Sequence, residues 1–135
     1  MLTWLANRIA SQLEYYLYAI YYGLWIKTKK YLALQKVRTF IDEQSEESRI
    51  EYLNLIDRLE KEGYLIEPFA KKIDSDLFEI RIRKGKQIRV FYFYHEDDYI
   101  FGVHAFVKKT QKTPKQEMQQ AQKIISQIKR GEYNE

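Results

Sequence analysis

The sequence has no cysteine, only two prolines and five glycines, and two histidines in 135 residues. Without cysteine there is no disulfide, no thiol nucleophile and no thiolate zinc site. Two histidines are too few for a multi-histidine metal centre. So little proline and glycine excludes a collagen-like chain and a flexible low-complexity chain. Long apolar runs are missing too: the most apolar stretch, Leu13–Ile26, carries Glu14 and falls short of the ~18 residues a spanning helix needs. No basic segment followed by an apolar core and a small-residue cleavage site opens the chain, so no secretory leader is expected. These absences point to a cytoplasmic protein with no place in a membrane.

What is present fits a globular fold. Hydrophobic residues make up 45% of the chain and charged residues 31%, too apolar for disorder. The length suggests a single domain over residues 1–135. The formal charge of +4 hides an asymmetry. Residues 42–62 hold Asp42, Glu43, Glu46, Glu47, Glu51, Asp57, Glu60 and Glu62. Residues 81–89 carry Arg81, Arg83, Lys84, Lys86 and Arg89, and residues 108–115 carry Lys108, Lys109, Lys112 and Lys115, with no acid in either run. A basic second half favours an anionic partner.

Periodicity divides the chain further. Leu2, Leu5, Ile9 and Leu13 recur at helical spacing. Tyr15–Ile26 is dense in β-prone residues and reads as a strand, with Gly23 at a bend. Tyr31–Ile41 reads as a helix. Ser45, followed by Glu46 and Glu47, opens a second helix that ends at Gly63, with Ile50, Leu53, Ile56 and Leu59 on its apolar side. Three strands follow, Leu77–Arg83, Gln87–Tyr94 and Tyr99–Phe106. A last helix begins with Thr113 as N-cap and Pro114 at its first position, and buries Met118, Ala121, Ile125 and Ile128.

Strand alternation puts Phe78, Ile80 and Ile82 on one face and Glu79, Arg81 and Arg83 on the other. A three-residue turn over Lys84, Gly85 and Lys86 sets Arg81 opposite Arg89. A four-residue turn over His95–Asp98 then pairs Tyr94 with Tyr99 and Arg89 with His104, which brings His104 onto the arginine face. Directly opposed like charges are unfavourable unless something anionic bridges them. One reading is a solvated face paired with acids of residues 42–62; the other is a phosphate-binding patch, since guanidinium groups fork to phosphate oxygens. Repulsion from the arginines would lower the His104 pKa and suit it to act as a base. The run Phe106–Lys115 leaves a strand through a lysine-rich loop into a helix N-terminus, where lysines and free amides favour phosphate.

Three blocks, Asp76–Arg81, Ile88–Phe93 and His104–Glu117, resemble the phage-derived Gp49-like, HigB-type toxins of the RelE/ParE toxin–antitoxin superfamily. Ile80, Ile88 and Ala105 depart from the residues usual at those positions, and residues 1–30 form an atypical N-terminal extension expected to contain the first strand. The resemblance implies an α+β RelE-like domain, with a curved antiparallel sheet, two helices from the N-terminal half and a C-terminal helix. It also implies an mRNA endoribonuclease that needs no metal or other cofactor. Such a toxin acts on ribosome-bound message and is silenced in a hetero-oligomer by a cognate antitoxin, typically of helix-turn-helix type. By matching position, Arg81, Arg89, His104 and Tyr92 are the catalytic candidates. Arg83, Lys84, Lys86, Lys108, Lys109, Lys112 and Lys115 are the candidates for holding RNA phosphates. Three alternatives stay open: a ParE-like toxin that inhibits gyrase and cleaves nothing, a non-catalytic phage-derived nucleic-acid-binding module, and an inactive toxin whose extended N-terminus covers the active face.

Overall fold

The computed structural model describes residues 29–135, together with Ala6, Ala10, Leu13, Glu14 and Leu17. Strand β1 (Lys30–Ala33) leads into helices α1 (Gln35–Asp42) and α2 (Glu46–Glu62). Strands β2 (Ala70–Asp74), β3 (Leu77–Ile82), β4 (Ile88–His95) and β5 (Tyr99–Val107) follow, and helix α3 (Lys115–Lys129) closes the fold. The class is α+β, consistent with a compact RelE-like domain. The sheet runs in the order β1-β5-β4-β3-β2. It is mixed rather than wholly antiparallel, because β1 pairs parallel with β5.

Helices cover the sheet on both sides. Val37 and Ile41 of α1 and Tyr52, Leu55 and Leu59 of α2 pack on Ile80, Ile82, Ile88, Val90, Tyr92 and Ile100. Ala121 and Ile125 of α3 pack on Leu77, Phe91, Phe93, Val103 and Phe106. The central strand β4 is therefore buried from Ile88 through Phe93, which is why its sequence is nearly continuously apolar rather than alternating.

Several expectations hold. Ser45 caps α2, its hydroxyl accepting the Ser48 amide at 3.2 Å, and Gly63 ends it at φ 82. Others are corrected. The helix expected over Tyr31–Ile41 is split: residues 30–33 satisfy their backbone on the β5 edge, and Leu34, extended at φ −63 and ψ 155, separates them from α1. The apolar side of α2 is also different. Ser48, Tyr52, Leu55 and Leu59 are buried, whereas Ile50 is 50% and Leu53 is 61% exposed. A strict spacing of three drifts backward by about 60° per step around a helix of 3.6 residues per turn, while a 4-3-4 spacing stays on one stripe. Strand β2 has no counterpart in the sequence reading. Of the strand expected over Tyr15–Ile26, Leu17 is helical and the other positions, Gly23 among them, lie outside the described residues, as do Leu2, Leu5 and Ile9.

One glycine is fixed by packing. A Cβ on Gly102 would stand 2.0 Å from the Tyr31 hydroxyl, which accepts a 2.9 Å bond from the Tyr52 hydroxyl. Gly102→Ala is expected to destabilise the fold by about 1–3 kcal/mol through overpacking; a lowered thermal midpoint against wild type checks this.

Candidate nucleic-acid interface

The face of the sheet under α3 carries the polar cluster. In the β3–β4 hairpin Arg81 stands directly opposite Arg89, as the three-residue turn predicts. Glu79 lies one row away, opposite Phe91. On β5 the next neighbours across are His104, opposite Phe91, and Phe106, opposite Arg89. Two rows thus run across three strands: Glu79, Phe91, His104, then Arg81, Arg89, Phe106.

His104 reaches this face by a route different from the one expected. The β4–β5 turn is one residue tighter, pairing His95 with Tyr99, and the register shifts between Phe91 and Tyr92, so that Val103 is an extra residue in β5. The tighter turn alone would set His104 against Val90 on the opposite face. The bulge restores the parity, so the facing residue is Phe91 and not Arg89.

The anion between the arginines comes from β3, the strand of Arg81 and the neighbour of Arg89. Glu79 is fully buried. Its Oε1 lies 3.4 Å from Arg81 Nε and 3.2 Å from Arg89 Nε, and its Oε2 accepts the Thr113 hydroxyl at 3.0 Å. Arg89 is only 7% exposed. Its Nη1 donates to the Ile88 carbonyl at 3.0 Å. Its Nε meets Glu79 as an ion pair without the alignment of a hydrogen bond. Burial lowers the Arg89 pKa, Glu79 opposes that effect, and Arg81 and Arg83 add to it. Glu79 was legible in principle: it shares a face with Arg81 and lies diagonal to Arg89, within reach of long side chains. The alternation alone read it as an ordinary outward polar residue.

Thr113 is not the helix cap. Pro114, at ψ 135, is still extended and takes the N-cap position, so α3 starts one residue later and the Thr113 hydroxyl is free to bond Glu79. Farther along, His104 Nε2 meets Glu117 of the first turn of α3, and His104 Nδ1 lies 3.2 Å from Lys36 Nζ of α1. Lys36 and Glu117 had no place in the sequence reading, because only the fold brings three distant elements to one imidazole. The His104 pKa is lowered, as expected, but burial is the main cause, with Lys36 adding to it and Glu117 opposing. The arginines are not among the causes.

The phosphate-binding candidates gather at one end of the sheet. Lys108 extends the ladder through its amide to the Gln87 carbonyl at 2.7 Å, which sets the hairpin tip with Arg83, Lys84 and Lys86 beside the β5–α3 loop. Arg83, Lys84, Lys86, Lys109, Lys112 and Lys115 are exposed and Lys108 is half-buried. The acidic helix does meet this tip, but not through paired side chains. Glu51 accepts the Arg83 and Lys84 amides at 2.7 and 2.9 Å, and Ser48 donates to the Lys84 carbonyl at 2.6 Å. Of the tip cations, Arg83 donates from Nη2 to the Pro68 carbonyl at 3.3 Å, and Lys84 and Lys86 are exposed.

Tyr92 does not belong to this group. It is buried among the isoleucines on the α1–α2 face. Burial and the neighbouring Tyr94 push its phenol far above the ordinary range. The sheet separates it from the arginines. A cavity of about 380 Å³ between β1 and the end of α3, lined by Leu32, Phe101, Ile128 and Tyr133, is likewise apart from the cluster. Among the described residues no three His, Asp or Glu side chains are grouped as metal ligands would be, and no helix is long and apolar enough to cross a membrane.

An α+β domain that gathers arginines and lysines on one sheet end suits a toxin of the kind the motifs suggest. The chain belongs to the Gp49-like family: the family model described as phage derived protein Gp49-like (DUF891) matches residues 39–126. That family is associated with the toxins of toxin–antitoxin systems, which in general are held by an antitoxin partner. Among curated proteins none matches the chain significantly. The matched span contains Arg81, Arg89, His104 and the lysine-rich loop.

The lowered His104 pKa gives a pH signature. A folded value below the unfolded one means that the unfolded chain takes up the proton first as pH falls. This contribution to stability is complete above the ordinary value near 6.5 and is lost as pH drops on through the folded value. Urea unfolding midpoints should therefore fall between pH 7.5 and pH 5, and the fall should be smaller in His104→Asn.

Proposed function

We propose that the chain is the toxin of a toxin–antitoxin pair and that it cuts messenger RNA on the ribosome without a metal ion. The observation that carries this reading is the opposed pair Arg81 and Arg89, set on one face beside the lysine-rich end of the sheet. Two guanidinium groups facing one another suit a phosphate that bridges them. The flanking cations Arg83, Lys84, Lys86, Lys108, Lys109, Lys112 and Lys115 suit the phosphates of an extended strand.

The chemistry needs three things. The 2′-hydroxyl must lose its proton as it attacks the adjacent phosphorus. The charge that grows on the phosphoryl oxygens must be stabilised. The leaving 5′-oxygen must gain a proton as its bond to phosphorus breaks. Arg81 and Arg89 stabilise the charge. His104 moves the proton. With Nε2–H held on Glu117, the basic lone pair sits on Nδ1, and the lowered pKa keeps the ring neutral and able to accept. Lys36, now at Nδ1, turns to a substrate phosphate when RNA binds.

Induction of the protein in growing bacteria, with mapping of RNA 5′ ends, tests this. New ends inside translated messages are expected for wild type. The Arg81→Ala/Arg89→Ala double variant should reduce them by at least roughly 10²–10³-fold. Growth arrest with intact RNA would overturn the nuclease reading in favour of a gyrase-type target.

A further inference from the structure

We propose that Glu79 is a positioning residue: one buried carboxylate that holds Arg81, Arg89 and the β5–α3 loop in the arrangement a bound phosphate requires. The proposal rests on the reading of Arg81 and Arg89 as the phosphate-binding pair. Glu79 itself is sealed from solvent and touches no substrate.

Three observations converge on it. First, Arg81 and Arg89 are directly opposite in register, so without an anion they repel and splay. Glu79 Oε1 lies within 3.4 Å of both Nε atoms. Second, each contact runs through Nε, the inner edge of the guanidinium. Arg81, half-buried and anchored there, keeps its paired Nη edge for an external phosphate, in the fork geometry that recognises one, while Arg89, with Nη1 on the Ile88 carbonyl, sits buried behind it. Third, the other carboxylate oxygen takes the Thr113 hydroxyl. Thr113 is the last residue before the cap of α3, so the same group fixes where the lysines of residues 108–112 sit. A carboxylate placed only for stability would serve as well with a single partner. This one is shared by two guanidiniums and the loop that follows β5.

The charge count sharpens the argument. Two guanidiniums and one carboxylate leave a net charge of +1 facing the phosphate. Removing the carboxylate raises the positive charge while loosening its geometry. Binding and catalysis should then move apart, which loss of folded protein alone would not produce.

The test combines Glu79→Gln and Glu79→Asp in the full chain, each checked for folding by thermal melting. Arginine side-chain Nε–H signals are followed by NMR, together with binding and single-turnover cleavage of a short RNA. Wild type should give two protected Nε–H signals, for Arg81 and Arg89. In Glu79→Gln the Arg81 signal should lose protection, and the Arg89 signal, freed of its ion pair, should shift. RNA should bind as tightly as to wild type or tighter, with a steeper salt dependence, while the cleavage rate drops roughly 10²-fold. Glu79→Asp keeps the charge but draws it back by one methylene. It should retain folding and the salt dependence of wild type while losing rate, and it carries the test if Glu79→Gln does not fold. Unchanged arginine signals in a folded variant would overturn the proposal whatever the RNA does, as would binding and cleavage falling in parallel. If wild type binds RNA but cuts none, while the substitutions still release the arginine signals, Glu79 keeps its role and the nuclease reading fails.

Discussion

Strand β4 has helices on both sides, and this coverage governs everything around the site. A surface strand can leave an arginine to water. Here Arg89 is buried, with Ile88 and Val90 against the α1–α2 layer and Phe91 under α3. A buried guanidinium is tolerable only with a partner. The partner has to come from a neighbouring strand on the same face, and Glu79 is where the pairing of β3 with β4 supplies one. The opposed arginines, the buried carboxylate and the anchored loop are successive consequences of covering the sheet twice.

The features fixed by local geometry were legible. Gly85, at φ 79 in a three-residue turn, set the Arg81–Arg89 register, because turn length determines which residues face each other. Ser45 and Gly63 marked the ends of α2 by the chemistry of helix termini. What escaped depended on partners distant in sequence. Tyr31 and Leu32 have apolar spacing compatible with a helix, and only the free edge of β5 draws them into a strand. Ile50 and Leu53 look like core residues until Tyr52 and Leu55 are seen to occupy the buried stripe. Glu79 and Thr113 are 34 positions apart, and no spacing rule links them.

His104 is instructive because its face was read correctly through compensating differences. A turn one residue tighter than expected moves it to one side, and the extra residue at Val103 moves it back. The face survived; the neighbours did not. The imidazole sits against Phe91, Glu117 and Lys36 rather than against the arginines. It therefore joins α1, β5 and α3, while the arginine pair joins β3, β4 and the loop before α3. The two halves of the proposed chemistry meet at that loop and the first turn of the last helix.

The bulge at Val103 also bears on how this strand can change over generations. Substitutions in β5 act by degrees, since a smaller or larger side chain shifts packing locally. A change of length between Gly102 and His104 acts on parity. It would carry His104 and Phe106 to the side of α1 and α2 and turn Ala105 and Val107 toward α3. Every contact beyond the bulge would be exchanged at once, including the approach of the chain to the lysine-rich loop. Outside Gly102 and His104, strand β5 is thus free to drift in side chain but not in length, and an alignment of descendants should gap in the turn at residues 96–98 before it gaps at residue 103.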